Sequence, residues 1–324
     1  MTDSSGKSCW TLSDGNAGNE NPCIGLAEAI GLEPSVKRIQ PRPPWSWLPP
    51  ALRFNALNAG GDDLRAPWPD LLIACGRASV APAMAIRRAA AGRCFTVQLL
   101  DPRVPTQRFD LVAAPRHDNL RGDNVIATLG ALNRITPARL AAAADQFAAT
   151  VERLPHPRVA VLIGGSSKHH RLTATVAADL GTRLNALNAG LMVTASRRTG
   201  EASTRALRAK LEDATTVFWD ASDKNPHGET SRGENPYFGY LALADAIVVT
   251  SDSVAMASEA IATGKPVHVF DLPGGTPKLD RFHHDLRQAG CTRPFRGVIE
   301  DWTYEAPDET ARVADEIRAR MAIG

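Results

Sequence analysis

The chemistry-bearing residues of this chain are densest in Ala246-Ile-Val-Val-Thr-Ser-Asp-Ser-Val-Ala-Met-Ala-Ser-Glu-Ala-Ile-Ala-Thr-Gly-Lys-Pro-Val-His-Val-Phe270. Ala246 to Val249 predicts a short buried strand. Thr250, Ser251, Asp252 and Ser253 form a polar hinge, and Val254 to Thr263 predicts a small-residue helix that stops at Gly264. Val267 to Phe270 predicts the next strand. Open parallel sheets take ligands at the carboxyl edge of their strands, which is where the polar hinge falls. The helix behind it can offer free N–H groups to a phosphate. Glu259, about two turns into that helix, stands among alanines where it can reach a ribose.

Two further loops follow predicted strands in the same half of the chain. Gly164 to His170 follows Arg158–Ile163, and Ser196 to Gly200 follows Leu191–Ala195. With the hinge they gather Gly164, Gly165, Ser166, Lys168, Arg197, Arg198, Ser251, Asp252 and Ser253 at one sheet edge. Backbone N–H groups beside glycines, together with guanidinium groups, suit a diphosphate. Any one of these loops could be a solvated turn; their convergence argues for a site. His169 and His170 read as a surface pair. In the first half, Asp14 to Glu20, Gly76 to Ser79 and Pro115 to Asp118 follow strands. Asp14, His117 and Asp118 are candidate general bases, since a carboxylate or imidazole can take a proton from an attacking hydroxyl. Helix capping is the rival role for Asp14, and turn formation for Asp118.

The elements that position these loops alternate strand and helix, which predicts an α/β protein with mostly parallel sheets. In the first half, strands are predicted at Ser8–Leu12, Asp70–Cys75, Cys94–Leu100, Leu111–Ala114 and Val125–Leu129. Pro22 is placed in the first turn of a helix that ends at Gly31. The pattern restarts after Leu154-Pro-His-Pro157. This predicts two Rossmann-like βα domains, 1–155 and 156–306, with an amphipathic helix in 307–324 returning to the first.

Composition narrows the function. Net charge is +2, with 37 basic and 35 acidic residues, so nucleic acid is not the expected partner. The five cysteines include no Cys-x-x-Cys pair, which argues against a zinc site or disulfide framework and for buried reduced thiols. No secretory signal core and no membrane-spanning run is seen, so a cytoplasmic protein is expected. Trp45, Trp47 and Leu48, flanked by Lys37, Arg38, Arg42 and Arg53, suit either a lipid-headgroup surface on the inner face of a membrane or a loop packed on its own domain. Gly-x-Gly-x-x-Gly after the first strand, Tyr-x-x-x-Lys, a P-loop, Gly-x-Ser-x-Gly and Asp-x-Asp are all missing. No cofactor or metal is therefore expected.

Ser258-Glu259 followed by Gly264-Lys265-Pro266 resembles the donor-binding segment of the lipid-linked N-acetylglucosaminyltransferases of peptidoglycan synthesis. Two βα domains facing across a cleft are the layout of the glycosyltransferase B fold. A longer resemblance is carried by Ser13-Asp-Gly-Asn-Ala-Gly-Asn-Glu-Asn21, Pro115-Arg-His-Asp118, Ile163-Gly-Gly165, Ser196-Arg-Arg-Thr199 and Gly233-Glu-Asn-Pro-Tyr-Phe238, together with the segment 246–270. These resemble the bacterial members of the family named for the plant mitochondrial-fission factor "elongated mitochondria". Pro22 departs from that pattern, where glutamine is expected, and Asp223 to Arg232 resembles an insertion. The resemblances imply a metal-independent glycosyltransferase. Its nucleoside-diphosphate sugar would be held by the second-half loops, Asn235, Tyr237 and the ribose-binding Glu259, and its acceptor would be a cell-envelope glycan or lipid. The alternative they imply is a non-catalytic adaptor for a protein partner, and a weaker one is a sugar-nucleotide hydrolase or epimerase.

Overall fold

The computed structural model describes residues 6–41, 43, 49, 56–58, 60–221 and 234–323. Trp45, Trp47 and Leu48, and the insertion from Asp223 to Arg232, lie outside the described residues. The chain divides into two compact units, 1–134 with 308–324, and 135–307. The division falls before the helix Pro137–Val151, whereas the sequence placed it after that helix.

The first unit is built on a six-stranded parallel sheet. Its strands are β1 (Cys9–Ser13), β2 (Pro34–Arg38), β3 (Leu71–Cys75), β4 (Phe95–Leu99), β5 (Leu111–Pro115) and β6 (Val125–Thr128), in the order β2-β1-β3-β4-β5-β6. The central strands are apolar runs buried on both faces, as strands covered by helices on each side must be. Helix α1 (Ala17–Ile30) stops at Gly31, whose φ of 91° suits glycine at a helix end. Pro22 lies inside α1 rather than in its first turn. The helix starts earlier, at Ala17, with the Asn16 carbonyl accepting the N–H of Glu20 at 2.9 Å. Helix α2 (Val80–Ala89) follows β3. Val313, Ala314 and Ile317 of the last helix, Glu309–Met321, join Leu26 and Ile30 of α1 in one core.

The second unit repeats the plan. Helix α3 (Pro137–Val151) precedes β7 (Arg158–Ile163), α4 (Ala174–Asn185), β8 (Gly190–Ala195), α5 (Glu201–Arg208) and β9 (Thr216–Asp220). Then come α6 (Tyr237–Leu243), β10 (Ala246–Thr250), α7 (Val254–Ile261), β11 (Val267–Phe270), α8 (Pro277–Gln288) and β12 (Thr292–Pro294); α9 is Glu309–Met321. All strands are parallel, in the order β12-β11-β10-β7-β8-β9. Strand order reverses between β1 and β3 in one sheet and between β7 and β10 in the other, and a crevice opens at the carboxyl edge of such a switch point. The expected α/β class and paired Rossmann-like arrays are thus present. All five cysteines are buried and free. Among the described residues, no helix is long and apolar enough to cross a membrane.

Candidate functional site

At the β7–β10 switch point three loops meet through one carboxylate. The Asp252 side chain is fully buried. Its Oδ2 accepts the N–H of Gly165 at 2.9 Å and the Arg198 guanidinium at 2.9 Å. Its Oδ1 accepts the Thr250 hydroxyl at 2.7 Å, and Thr250 Oγ1 in turn accepts the N–H of Gly164 at 2.8 Å. The carbonyl of Gly164 receives the hydroxyls of Ser196 and Thr199, each at 2.6 Å. Both glycines are required by space. A Cβ on Gly164 would stand 2.2 Å from Asp252 Oδ1, and one on Gly165 2.0 Å from the Arg198 carbonyl.

This geometry revises the roles expected of several residues. The N–H groups of Gly164 and Gly165 are spent on Thr250 and Asp252, and so are not free donors for a diphosphate. Ser166 bonds within its own loop, its Oγ accepting the N–H of Leu172 at 3.0 Å. Buried Ser251 accepts the N–H of Leu272 on its Oγ at 2.9 Å, while its carbonyl accepts from His283 Nε2 at 2.8 Å. Because the peptide is planar and trans, that bond turns the N–H of Asp252 the opposite way. Ser253 caps α7, accepting the N–H of Met256 at 3.3 Å. His283, on a helix absent from the sequence reading, is the positioning group that reading missed. Lys168 and Arg197 are exposed and carry no ion pair among the described residues.

Glu259 lies on α7, 9% exposed, and accepts the Tyr237 hydroxyl on Oε2 at 2.6 Å. Burial pushes its carboxyl up to about 7, opposed by the Tyr237 bond. The Tyr237 phenol is itself pushed well up by burial and by the neighbouring carboxylate. Asn235 sets the start of α6, its side chain accepting the N–H of Tyr237 at 3.1 Å. At the other end of α6 the Lys265 ammonium donates to the carbonyls of Leu241, at 2.8 Å, and Ala242. Burial lowers that ammonium to about 8. The Gly-Lys-Pro element thus places a helix-capping lysine. From Val254 to Glu259 is about 8 Å along the helix axis, and Ala255, one turn before Glu259 on the same face, is small.

In the first unit the candidate bases are not together. Asp14 follows β1, accepting the backbone N–H of Asn16 at 3.1 Å and the side-chain amides of Asn16 and Asn19 at 2.7 and 3.0 Å. Gly76 leaves room for Asn19, whose Nδ2 would stand 2.8 Å from a Cβ there. Arg38 crosses Gly15 to bind both oxygens of Glu20, at 2.6 and 2.9 Å. Buried His117 and half-buried Asp118 sit on the short turn Arg116–Asp118 after β5. Strands β3 and β4 intervene, so the two loops start about 14 Å apart. Among the described residues no cluster of three or more His, Cys, Asp or Glu could hold a metal ion.

The sequence profile of the mitochondrial fission ELM1 family matches residues 17–321. The chain belongs to that family. It is 35% identical over 288 residues to the mitochondrial fission protein ELM1 of Arabidopsis thaliana, covering 78% of this chain and 64% of the relative. The chain therefore spans less than two thirds of that relative's length. It is 25% identical over 363 residues to an uncharacterized protein, RP120, of Rickettsia prowazekii (strain Madrid E), covering 97% and 98% of the two chains. Among solved structures it is similar to a UDP-glucosyltransferase from Polygonum tinctorium capable of glucosylating indoxyl, with a TM-score of 0.53 and 10% identity. That match covers 99% of this chain and 90% of the other. The likeness is one of fold: this ELM1-family chain has the two-array α/β architecture of a glycosyltransferase.

Proposed function

We propose that this ELM1-family protein is a glycosyltransferase that uses a nucleoside-diphosphate sugar and no metal. The observation that carries the reading is Glu259, a buried carboxylate about 8 Å along α7 from its N-terminus, at the switch point of the second sheet. The start of α7, Lys168, Arg197 and the half-exposed Arg198 would meet the diphosphate, and Glu259 the ribose. The acceptor, a cell-envelope glycan or lipid, would be carried by the first unit. Asp14 or the His117–Asp118 turn would take the proton of its attacking hydroxyl. The acceptor oxygen bonds to the sugar's anomeric carbon as the bond to the diphosphate breaks. Positive groups then stabilise the departing diphosphate. We place the protein in the cytoplasm, touching the inner face of a membrane through Trp45, Trp47 and Leu48.

The test is a thermal-shift and calorimetric screen against UDP, GDP, CDP, CMP and their sugars, with magnesium or with a chelator. One nucleotide should stabilise the protein equally in both. Arg197→Ala and Glu259→Ala should each weaken its binding by about tenfold or more, the loss expected for a hydrogen bond to a charged group. Unchanged affinity and turnover in Glu259→Ala would remove the site assignment. A second reading, a non-catalytic adaptor for a protein partner, is favoured by the description of the Arabidopsis relative as a fission protein. Indifference to every nucleotide, with stoichiometric capture of one protein partner, would establish it instead.

A further inference from the structure

We propose that Tyr237 is a positioning residue for nucleotide recognition, its hydroxyl anchoring one oxygen of Glu259 so that the other is presented to a ribose hydroxyl. This rests on the reading of the second-sheet crevice given above. The Glu259 side chain has one hydrogen-bond partner among the described residues, the Tyr237 hydroxyl at 2.6 Å, although the residue is only 9% exposed. A buried carboxylate with a single donor is poorly satisfied. It has acceptor capacity left for a ligand hydroxyl.

The phenol is held firmly enough to do this. Tyr237 opens α6, and its N–H is fixed by Asn235. Its ring meets Phe238 edge-on at 5.7 Å, and the Arg139 guanidinium lies over Phe238 at 5.7 Å. Lys265 ties the far end of α6 to the segment that follows α7. The hydroxyl therefore approaches Glu259 from a helix anchored at both ends.

The same bond biases the charge of Glu259. Burial favours the neutral acid and pushes the group up to about 7, while the Tyr237 bond pulls it down. No other charged group acts on it appreciably. The Lys265 ammonium faces the α6 carbonyls, and Asp252, at the start of α7, is taken up by Arg198 and the loop N–H groups. A ribose hydroxyl donates best to an ionised carboxylate. Ligand affinity should therefore rise with pH through neutrality, and removing the Tyr237 hydroxyl should move that rise to higher pH.

The experiment compares wild type, Tyr237→Phe and Glu259→Ala as full chains. First, the Glu259 carboxyl is titrated without ligand by carbon-13 NMR, with Glu259→Gln supplying the assignment. The midpoint should lie near 7 in wild type and move up in Tyr237→Phe by about one unit. A midpoint that stays put overturns the proposal whether or not any nucleotide binds. Second, UDP is titrated calorimetrically between about pH 7 and pH 9, the working range set by the Glu259 midpoint. Tyr237→Phe should bind about fivefold more weakly than wild type at the lower pH, with most of the deficit gone at the upper. An equal deficit at every pH would mark a merely structural role. Tighter binding would mean that Tyr237 blocks the site. Either result sinks the proposal. If Glu259→Ala binds UDP as wild type does, the nucleotide reading itself falls, and this inference with it. If Glu259→Ala is weakened while Tyr237→Phe matches wild type, only this inference falls.

Discussion

At the carboxyl edge of the second sheet the loops are bonded to one another through a buried carboxylate; at the same edge of the first sheet the carboxylate of Asp14 is bonded to its own neighbourhood in sequence. Asp252 joins residues that lie far apart in sequence, Gly165, Arg198 and Thr250, and its side chain has no exposure. Asp14 is half-buried and, among the described residues, serves Asn16 on its own loop and Asn19 in the first turn of α1. The contrast separates two ways of preparing a site. One fixes its geometry before any ligand arrives, at the cost of committing its polar groups. The other leaves its polar groups near solvent and its shape adjustable.

The sharpest way to break the contrast is Asp252→Ala. It strands the N–H of Gly165 and the Thr250 hydroxyl and unpairs the half-exposed Arg198 guanidinium. Losing one member of a buried ionic network should cost about 3 kcal/mol, read as a lower urea midpoint for the second unit. A cost below about 1 kcal/mol would mean that the three loops do not depend on one another.

Glu259→Gln tests the same edge through pH. The folded protein holds the Glu259 carboxyl near 7, above its ordinary 4.5. The group's contribution to stability is therefore complete below 4.5 and is lost as pH rises through 7. Glutamine carries no such loss. The variant should gain on wild type by about 3 kcal/mol as pH rises across that window, seen as a widening gap between their melting temperatures. A constant gap would show that Glu259 does not titrate there. Asp14→Ala is the smallest of the three. Removing a half-exposed carboxylate from a local turn should cost about 1 kcal/mol, while transfer in the proposed reaction should fall about a hundredfold if Asp14 is the base. Full turnover would move that role to the His117–Asp118 turn.

The buried strands were legible because apolar runs such as Arg158–Ile163 and Ala246–Thr250 leave little alternative once helices flank them. Two of the edge strands were not. β2, Pro-Ser-Val-Lys-Arg, is half-exposed, and β12 has three residues. Helix α8 did carry a signal. Thr276 caps it, Pro277 opens it, and Leu279, Phe282, His283 and Leu286 recur at helical spacing. The candidate site was legible in place but not in role. Hydroxyls and carboxylates at a strand end look alike whether they await a ligand or hold loops together. Partners such as Gly165 for Asp252, or His283 for Ser251, are set only by strand order. Glu259 was legible because a carboxylate among alanines has few local reasons to be there.

Helix α6 has seven residues, too few for a helix to persist in water by itself. Its first residue is held by α7 through Tyr237 and Glu259, and its last carbonyls by Lys265, just beyond α7. The order of α6 is thus inherited from its neighbours, α3, whose Phe147 ring lies against Gly239, and α7. When these contacts loosen, a helix this short cannot stay wound, so the amides of α6 should exchange with solvent together with those of the helices that hold it.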